Sequence, residues 1–209
     1  MVVACYVVAG VLAVLVALYW ILEVHYFLRM ALSVFLARFI KKRVHILDTT
    51  EVRGVCLSTD VDTLLFHMNN SRYIRELDFA RADFYERTRL YRTIRGKGGA
   101  VVQGACTIRY RRFVRPFSWF KITSKIIYWD HQSIFMEHRF ITPKDEFVRA
   151  VVVCRQRLIG VNAEDIMHEL MKEKEANIEL GFSKPECPLE VKKWNESNEI
   201  SSANLRNGC

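Results

Sequence analysis

The spacing of hydrophobic and polar positions changes several times along this chain, and each change marks an element. Met1 to Leu22 carries no charged side chain. As a helix, that run would rise about 33 Å against a hydrocarbon core of about 30 Å, which predicts an uncleaved membrane anchor over residues 1–22. Between Val24 and Ile40 the pattern is mixed. His25, Arg29, Ser33 and Lys41 share one side at multiples of four, while Leu28, Leu32, Phe35, Leu36 and Phe39 are apolar. Such a stripe suits a helix lying in a membrane interface, and equally a plain continuation of the anchor. Val44 to Leu57, rich in β-branched residues, predicts a strand interrupted near Asp48. Tyr73, Leu77, Ala80 and Phe84 then recur at i, i+4, i+7 and i+11, a helix that Asn69 or Asn70 would cap and that fades near Leu90, ahead of Gly96, Gly98 and Gly99.

From Ala100 the period falls to two. Cys106, Ile108 and Tyr110 alternate with Thr107, Arg109 and Arg111, predicting a strand over Ala100–Val114. Phe117–Trp129, Ser133–Thr142 and Phe147–Ile159 follow as β-rich runs, separated by the turns Asp130-His131-Gln132 and Pro143-Lys144-Asp145-Glu146. One early helix followed by several long antiparallel strands points to an α+β fold with a curved sheet around that helix. Asn162 caps a second helix with Glu164 and Asp165 in its first turn and Gly181 as its stop, and its few apolar residues suit a peripheral position. Residues 182–209 read as a loosely held tail. The expected organisation is an anchor over 1–22, a basic juxtamembrane helix over 23–43, a folded domain over 44–161, a helix over 162–181 and the tail.

Charge gives the anchor an orientation. No Lys or Arg precedes the apolar run, and Arg29, Arg38, Lys41, Lys42 and Arg43 follow it, so the domain is expected in the cytosol. The membrane expected is that of the endoplasmic reticulum, which the charge pattern itself does not select. A cleaved signal, which would make the domain secreted, is the alternative; the missing basic n-region and the length of the run oppose it. The net charge of +8 comes partly from that juxtamembrane cluster, which would favour anionic lipid. Basic residues also alternate with aromatics between Arg109 and Lys121, but no nucleic-acid-binding motif accompanies them, and no nucleic-acid partner is expected. The cysteines show neither metal-ligand nor redox spacing and read as free thiols. Sequons stand at Asn69 and Asn195; a glycan on the first would block the stretch considered next.

Chemistry concentrates between Asp60 and Arg81. Asp60, Asp62, His67, Asn69 and Asn70 stand directly before the Tyr73–Phe84 helix. A carboxylate and an imidazole at a helix N-terminus can activate water, while free N–H groups there polarise a carbonyl. Each residue also has a plainer role: Asp60 and Asp62 as turn formers, Asn69 or Asn70 as a cap alone, His67 as a core histidine. An Asp-x-Asp also occurs as a metal ligand in membrane glycosyltransferases, but the chain after the anchor is short for a nucleotide-sugar domain. No Gly-x-Ser-x-Gly, phosphate loop or His-Glu-x-x-His is present.

The stretch Asp60-Val-Asp62-Thr-Leu-Leu-Phe-His67-Met-Asn69-Asn70-Ser-Arg-Tyr73, with Asp78 and Arg81 beyond, resembles the hotdog-fold thioesterases of the 4-hydroxybenzoyl-CoA thioesterase type. With the apolar anchor and the C-terminal helix, it is similar above all to the thioesterase superfamily member 6 family. The resemblance covers roughly residues 44–161 for the fold. It implies hydrolysis of an acyl thioester linked to coenzyme A, without metal or organic cofactor, in a homodimer tethered to membrane lipid. By position, Asp62 matches the general base or nucleophile, His67 the motif histidine, Asn69 and Asn70 the paired asparagines, and Tyr73 the helix tyrosine. Asp78 falls where many relatives place a substrate-facing glutamate. Arg109, Arg111 and Arg112 are candidate ligands for the carrier phosphates. The chain departs from the motif in two ways: one extra residue separates Asp62 from His67, and Phe66 replaces a glycine. That leaves, as the rival reading, a silent hotdog protein that binds acyl chains or partner proteins at a membrane.

Overall fold

The computed structural model describes residues 2–175 and 184–208. Its centre is helix α3 (Asn70–Arg87), and the residues predicted to face inward do so: Tyr73, Leu77, Ala80 and Phe84 are buried. Around it curve β1 (Thr50–Val55), β2 (Ala100–Tyr110), β3 (Trp119–Trp129), β4 (Ser133–Thr142) and β5 (Phe147–Ile159), in the order β1-β3-β4-β5-β2. All four pairings are antiparallel, as long strands joined by short turns allow. The expected interruption near Asp48 is a turn, so β1 starts later than the β-branched run. Alternate residues of the strands, among them Phe120, Ile122, Met136, Phe140, Val152 and Leu158, form the inner face on α3. β1 packs closely on β3 at Gly54, where a Cβ would meet Phe120 Cζ at 2.5 Å.

Two helices close the domain differently from the sequence expectation. The early helix ends close to the expected Leu90, but a second helix follows at once. The first ends at Arg87, Arg89 takes a left-handed turn (φ 62°), and α4 (Leu90–Gly96) continues with Leu90 and Ile94 buried. α5 (Ala163–Glu175) starts behind Asn162, whose Oδ1 accepts from the Glu164 amide at 2.8 Å. Its Ile166, Met167 and Leu170 are buried beside Phe84 and Met136, so the helix closes one end of the core instead of lying at its periphery. The predicted stop at Gly181 lies outside the described residues.

The loose tail is in fact ordered over Leu189–Gly208 as α6, on the outer face of the sheet. Val191 is buried there, Trp194 meets Phe135 edge-on at 6.4 Å, and Arg155 donates to Asn195 and Glu199 at 2.7 and 3.1 Å.

At the other end, the apolar run forms α1 (Val2–Ile21). Glu23 turns left-handed (φ 49°) before α2 (Val24–Phe35), which a π-helical turn, Leu36–Ile40, extends. Among the described residues no single helix is long and apolar enough to cross a membrane. α1 and the α2 segment meet that test only together, as a pair bent by 67°. The basic cluster does not simply wait for lipid. Arg29 reaches Glu76 at 2.5 Å, Arg38 reaches Glu86 at 3.1 Å and Lys41 reaches Asp83 at 2.6 Å, all three acids standing on α3 and nearly buried.

Candidate functional site

The loop that presents the candidate acid is built by its own backbone. The Asp62 amide donates to the His67 carbonyl at 2.9 Å, the Leu65 amide donates to the Asp62 carbonyl at 3.0 Å, and Val61 and Met68 form an isolated antiparallel bridge. Leu65 adopts φ 56°, a left-handed turn that accommodates the extra residue. Inside this loop, Asp62 Oδ1 accepts the amides of Phe66 at 2.9 Å and of His67 at 3.2 Å. The Phe66 bond, reinforced by the one from His67, holds the Asp62 carboxyl below the usual carboxylate range, so it is ionised at neutral pH. Asp60 is a turn former: its Oδ2 accepts the Leu57 amide at 2.9 Å and its carbonyl accepts the Asn69 amide at 2.8 Å.

His67 and the asparagines sit beside Asp62 at the start of α3. The imidazole stacks on Phe113 with centroids 4.3 Å apart and planes within 9°, and its Nδ1 lies 2.9 Å from the Met68 carbonyl. Asn69 is the N-cap, its Oδ1 accepting the Ser71 amide at 2.9 Å, while its carbonyl accepts the Arg72 amide at 2.9 Å. Two first-turn amides that could have polarised a substrate carbonyl are therefore already satisfied, and the positive end of the helix dipole is what the site still offers. Asn70 is exposed, and its carbonyl accepts the Tyr110 hydroxyl at 3.1 Å.

The other predicted residues are not gathered there. Tyr73 is buried in the core, its hydroxyl accepting the Val114 amide at 3.4 Å, and burial pushes its pKa up to about 12. That bond ties the strand exit to α3, a positioning role. Asp78 stands eight residues along α3 from Asn70, about 12 Å of helix rise. It accepts the Tyr26 hydroxyl at 2.9 Å and pairs with Arg81. Arg109 lies on the outer face, lining a cleft with Glu137, Glu190 and Trp194. Arg111 and Arg112, past the end of β2, lie over the Phe147 ring at 4.9 and 4.3 Å.

Beside the site loop opens a groove of about 1150 Å³ lined by Phe113, Arg115, Trp119, Lys121, Lys144 and Arg149 among others. A smaller hollow of about 430 Å³ shares Phe113, Arg115 and Arg149 and reaches Arg111 and Arg112. Because Phe113 belongs to both and carries the His67 stack, the groove runs up to the Asp62 loop. Its cations are partly engaged: Lys121 meets Glu146 at 2.8 Å, and Arg149 pairs with Asp145. The alternation of bases and aromatics after Arg109 signalled one wall. Sequence reasoning missed Arg115, Trp119, Lys121 and Arg149 as a set because Thr142 to Arg149 comes from another hairpin. Among the described residues no group of three or more His, Cys, Asp or Glu could hold a metal ion.

A sequence model of the thioesterase-like superfamily matches residues 56–194. Protein THEM6 of Drosophila melanogaster is 42% identical over 195 residues, 93% of this chain and 97% of that protein. In structure, the chain is similar to YbaW, a probable thioesterase from Escherichia coli, with a TM-score of 0.54 at 20% identity over 59% of this chain and 96% of the other. Slr0204, a 1,4-dihydroxy-2-naphthoyl-CoA thioesterase from Synechocystis, aligns with a TM-score of 0.53 at 9% identity, covering 61% of this chain and 98% of the other. At such identities the two structures establish a shared hotdog fold.

Proposed function

Because this chain belongs to the thioesterase-like superfamily, and within it to the family of the Protein THEM6 sequences, we propose that it hydrolyses acyl thioesters of coenzyme A at a membrane. The observation that carries this reading is the ionised Asp62 carboxylate in the loop before the α3 N-terminus, whose neighbour His67 stacks on Phe113, a residue lining a groove of cations and aromatics. The carrier phosphates would lie among Arg115, Lys121 and Arg149, displacing the partner acids, with aromatic rings along the carrier's organic part. The thioester carbonyl would point at the positive end of α3, which favours the developing oxyanion. Asp62 would attack the carbonyl carbon or take a proton from a water that attacks it; either way the thiol leaves and water supplies the acid's oxygen. His67, held flat on Phe113, would orient the water or carbonyl.

The edge position and length of β2, with Val102, Gln103 and Gly104 exposed, suit pairing with a second copy, which would make the protein a homodimer. The two N-terminal helices would tether it to the bilayer, with the domain on the cytosolic side. One observation favours the rival, a binder without turnover: Asp62 Oδ1 already serves the Phe66 and His67 amides. A panel of acyl-CoA substrates offered to the purified full chain decides between them. Turnover that falls about 10²–10⁴-fold in Asp62→Asn supports hydrolysis. Saturable acyl-CoA binding with no turnover in the wild type establishes the binder.

A further inference from the structure

α2 is amphipathic in an unusual sense, because its polar side faces its own domain. Tyr26, Arg29, Met30, Ser33 and Ala37 turn towards α3, with Arg29 gripping Glu76 through both guanidinium nitrogens and lying 3.9 Å above the Phe79 ring. Arg38 and Lys41 extend the grip to Glu86 and Asp83. The connection from α1 is also held, since Glu23 pairs with Arg75. On the opposite side Leu28, Leu32, Phe35 and Phe39 form an apolar stripe at i, i+4, i+7 and i+11, exposed by 62, 55, 51 and 69%. A polar side occupied by the protein and an apolar side left bare need an apolar partner, not water.

The adjoining helix decides which partner. The stripe is continuous with α1, the charge-free helix separated from it by only Leu22 and Glu23. The 67° bend means that a helix α1 tilted by about 23°, close to the average of about 20° for membrane helices, lays α2 in the plane of the bilayer. Exposed Lys42 and Arg43 then stand at the height of anionic headgroups. We propose that α2 lies in the membrane interface with Leu28, Leu32, Phe35 and Phe39 among the acyl chains, and that its ion pairs to α3 dock the domain on the bilayer in one fixed orientation. This rests on the membrane part of the reading above and is independent of hydrolysis. The charges of the juxtamembrane segment thus act mainly between helices, and lipid recognition falls to the apolar stripe.

The test uses the full chain in phosphatidylcholine vesicles containing phosphatidylserine, with an environment-sensitive fluorescent amino acid replacing Ala13, Leu32, Phe35 or Ile200, one at a time. Lipids brominated on the acyl chain should quench positions 13, 32 and 35 several-fold and leave position 200, on the outer-face helix α6, unquenched. Quenching at 13 without 32 and 35 overturns the inference and leaves the tether standing; no quenching at any position overturns both. Blue-shifted emission at 32 and 35 without bromine quenching means that a second copy covers the stripe, and overturns the lipid assignment. For the clamp, energy transfer from position 200 to acceptors in the headgroups should give a narrow distance distribution that broadens in the Glu76→Gln/Glu86→Gln variant. An unchanged width overturns the fixed docking.

Discussion

His138 sits in the middle of the inner sheet face, fully buried, with Nδ1 2.8 Å from Ser124 Oγ and, among the described residues, no hydrogen-bond partner for Nε2. Burial, with the positive Arg81 adding to it, pushes its pKa down to about 3. In the unfolded chain the same ring titrates near about 6.5. Below that value the unfolded state binds a proton that the folded state refuses, so stability is complete above about pH 6.5 and is lost as pH falls towards the folded value. The slope is about 1.4 kcal/mol per pH unit for one proton. Between about pH 7.5 and about pH 5 the loss amounts to about 2 kcal/mol, a large share of an ordinary stability of about 5–15 kcal/mol. Urea unfolding of the full chain in detergent micelles, followed by tryptophan fluorescence, reads this directly against His138→Met. The variant starts lower, because Ser124 loses its partner, but it should lose about 2 kcal/mol less over the same pH interval. Every other titrating group cancels in the comparison, so parallel pH profiles would refute a neutral, buried His138.

Other perturbations test the site and its frame. Asn69→Ala removes the α3 cap and should cost about 1 kcal/mol in urea unfolding; an unchanged midpoint would mean that the Ser71 amide has another acceptor. Gly54→Ala drives a Cβ to 2.5 Å from Phe120 Cζ and should cost about 1–3 kcal/mol by overpacking, measured as a lower Tm. Because the Phe66 and His67 amides favour the Asp62 carboxylate, the acid limb of the pH–rate profile should lie below the ordinary carboxylate range; a limb above it would contradict the loop geometry. Arg149→Gln should raise KM for acyl-CoA roughly tenfold with kcat nearly unchanged, the loss of one charge-assisted hydrogen bond. An equal fall in kcat would move the residue from carrier binding to the reacting centre.

Local signals in this chain were legible in its sequence. Asn162 and the pair Asn69 and Asn70 announced their helices because capping is a contact over two or three residues, and the structure chose Asn69 of the pair. Tyr73, Leu77, Ala80 and Phe84 declared the buried side of α3, and the starts and ends of β4 and β5 followed from β-rich composition and the turns between the runs. The loop sequence around Asp62 was equally readable as a motif. The sequence could not show that both backbone amides of Phe66 and His67 would turn onto the carboxylate, since that depends on a left-handed residue at Leu65.

Long-range complementarity decided the rest. Nothing in the local pattern singles out Glu76, Asp83 and Glu86, yet they are buried because α2 and the turn after it bring Arg29, Arg38 and Lys41 onto them from more than forty residues away. The polar tail became α6 because Trp194 and Val191, two apolar residues in a charged stretch, found Phe135 and the outer sheet face. The groove exists only where the chain after β2 meets the β4–β5 turn, so its cations converge from segments that neither periodicity nor composition connects. Periodicity reports which side of an element is apolar, because that is set within a few turns of backbone. What covers that side, and which charges come to face one another across it, is set by the packing of distant segments.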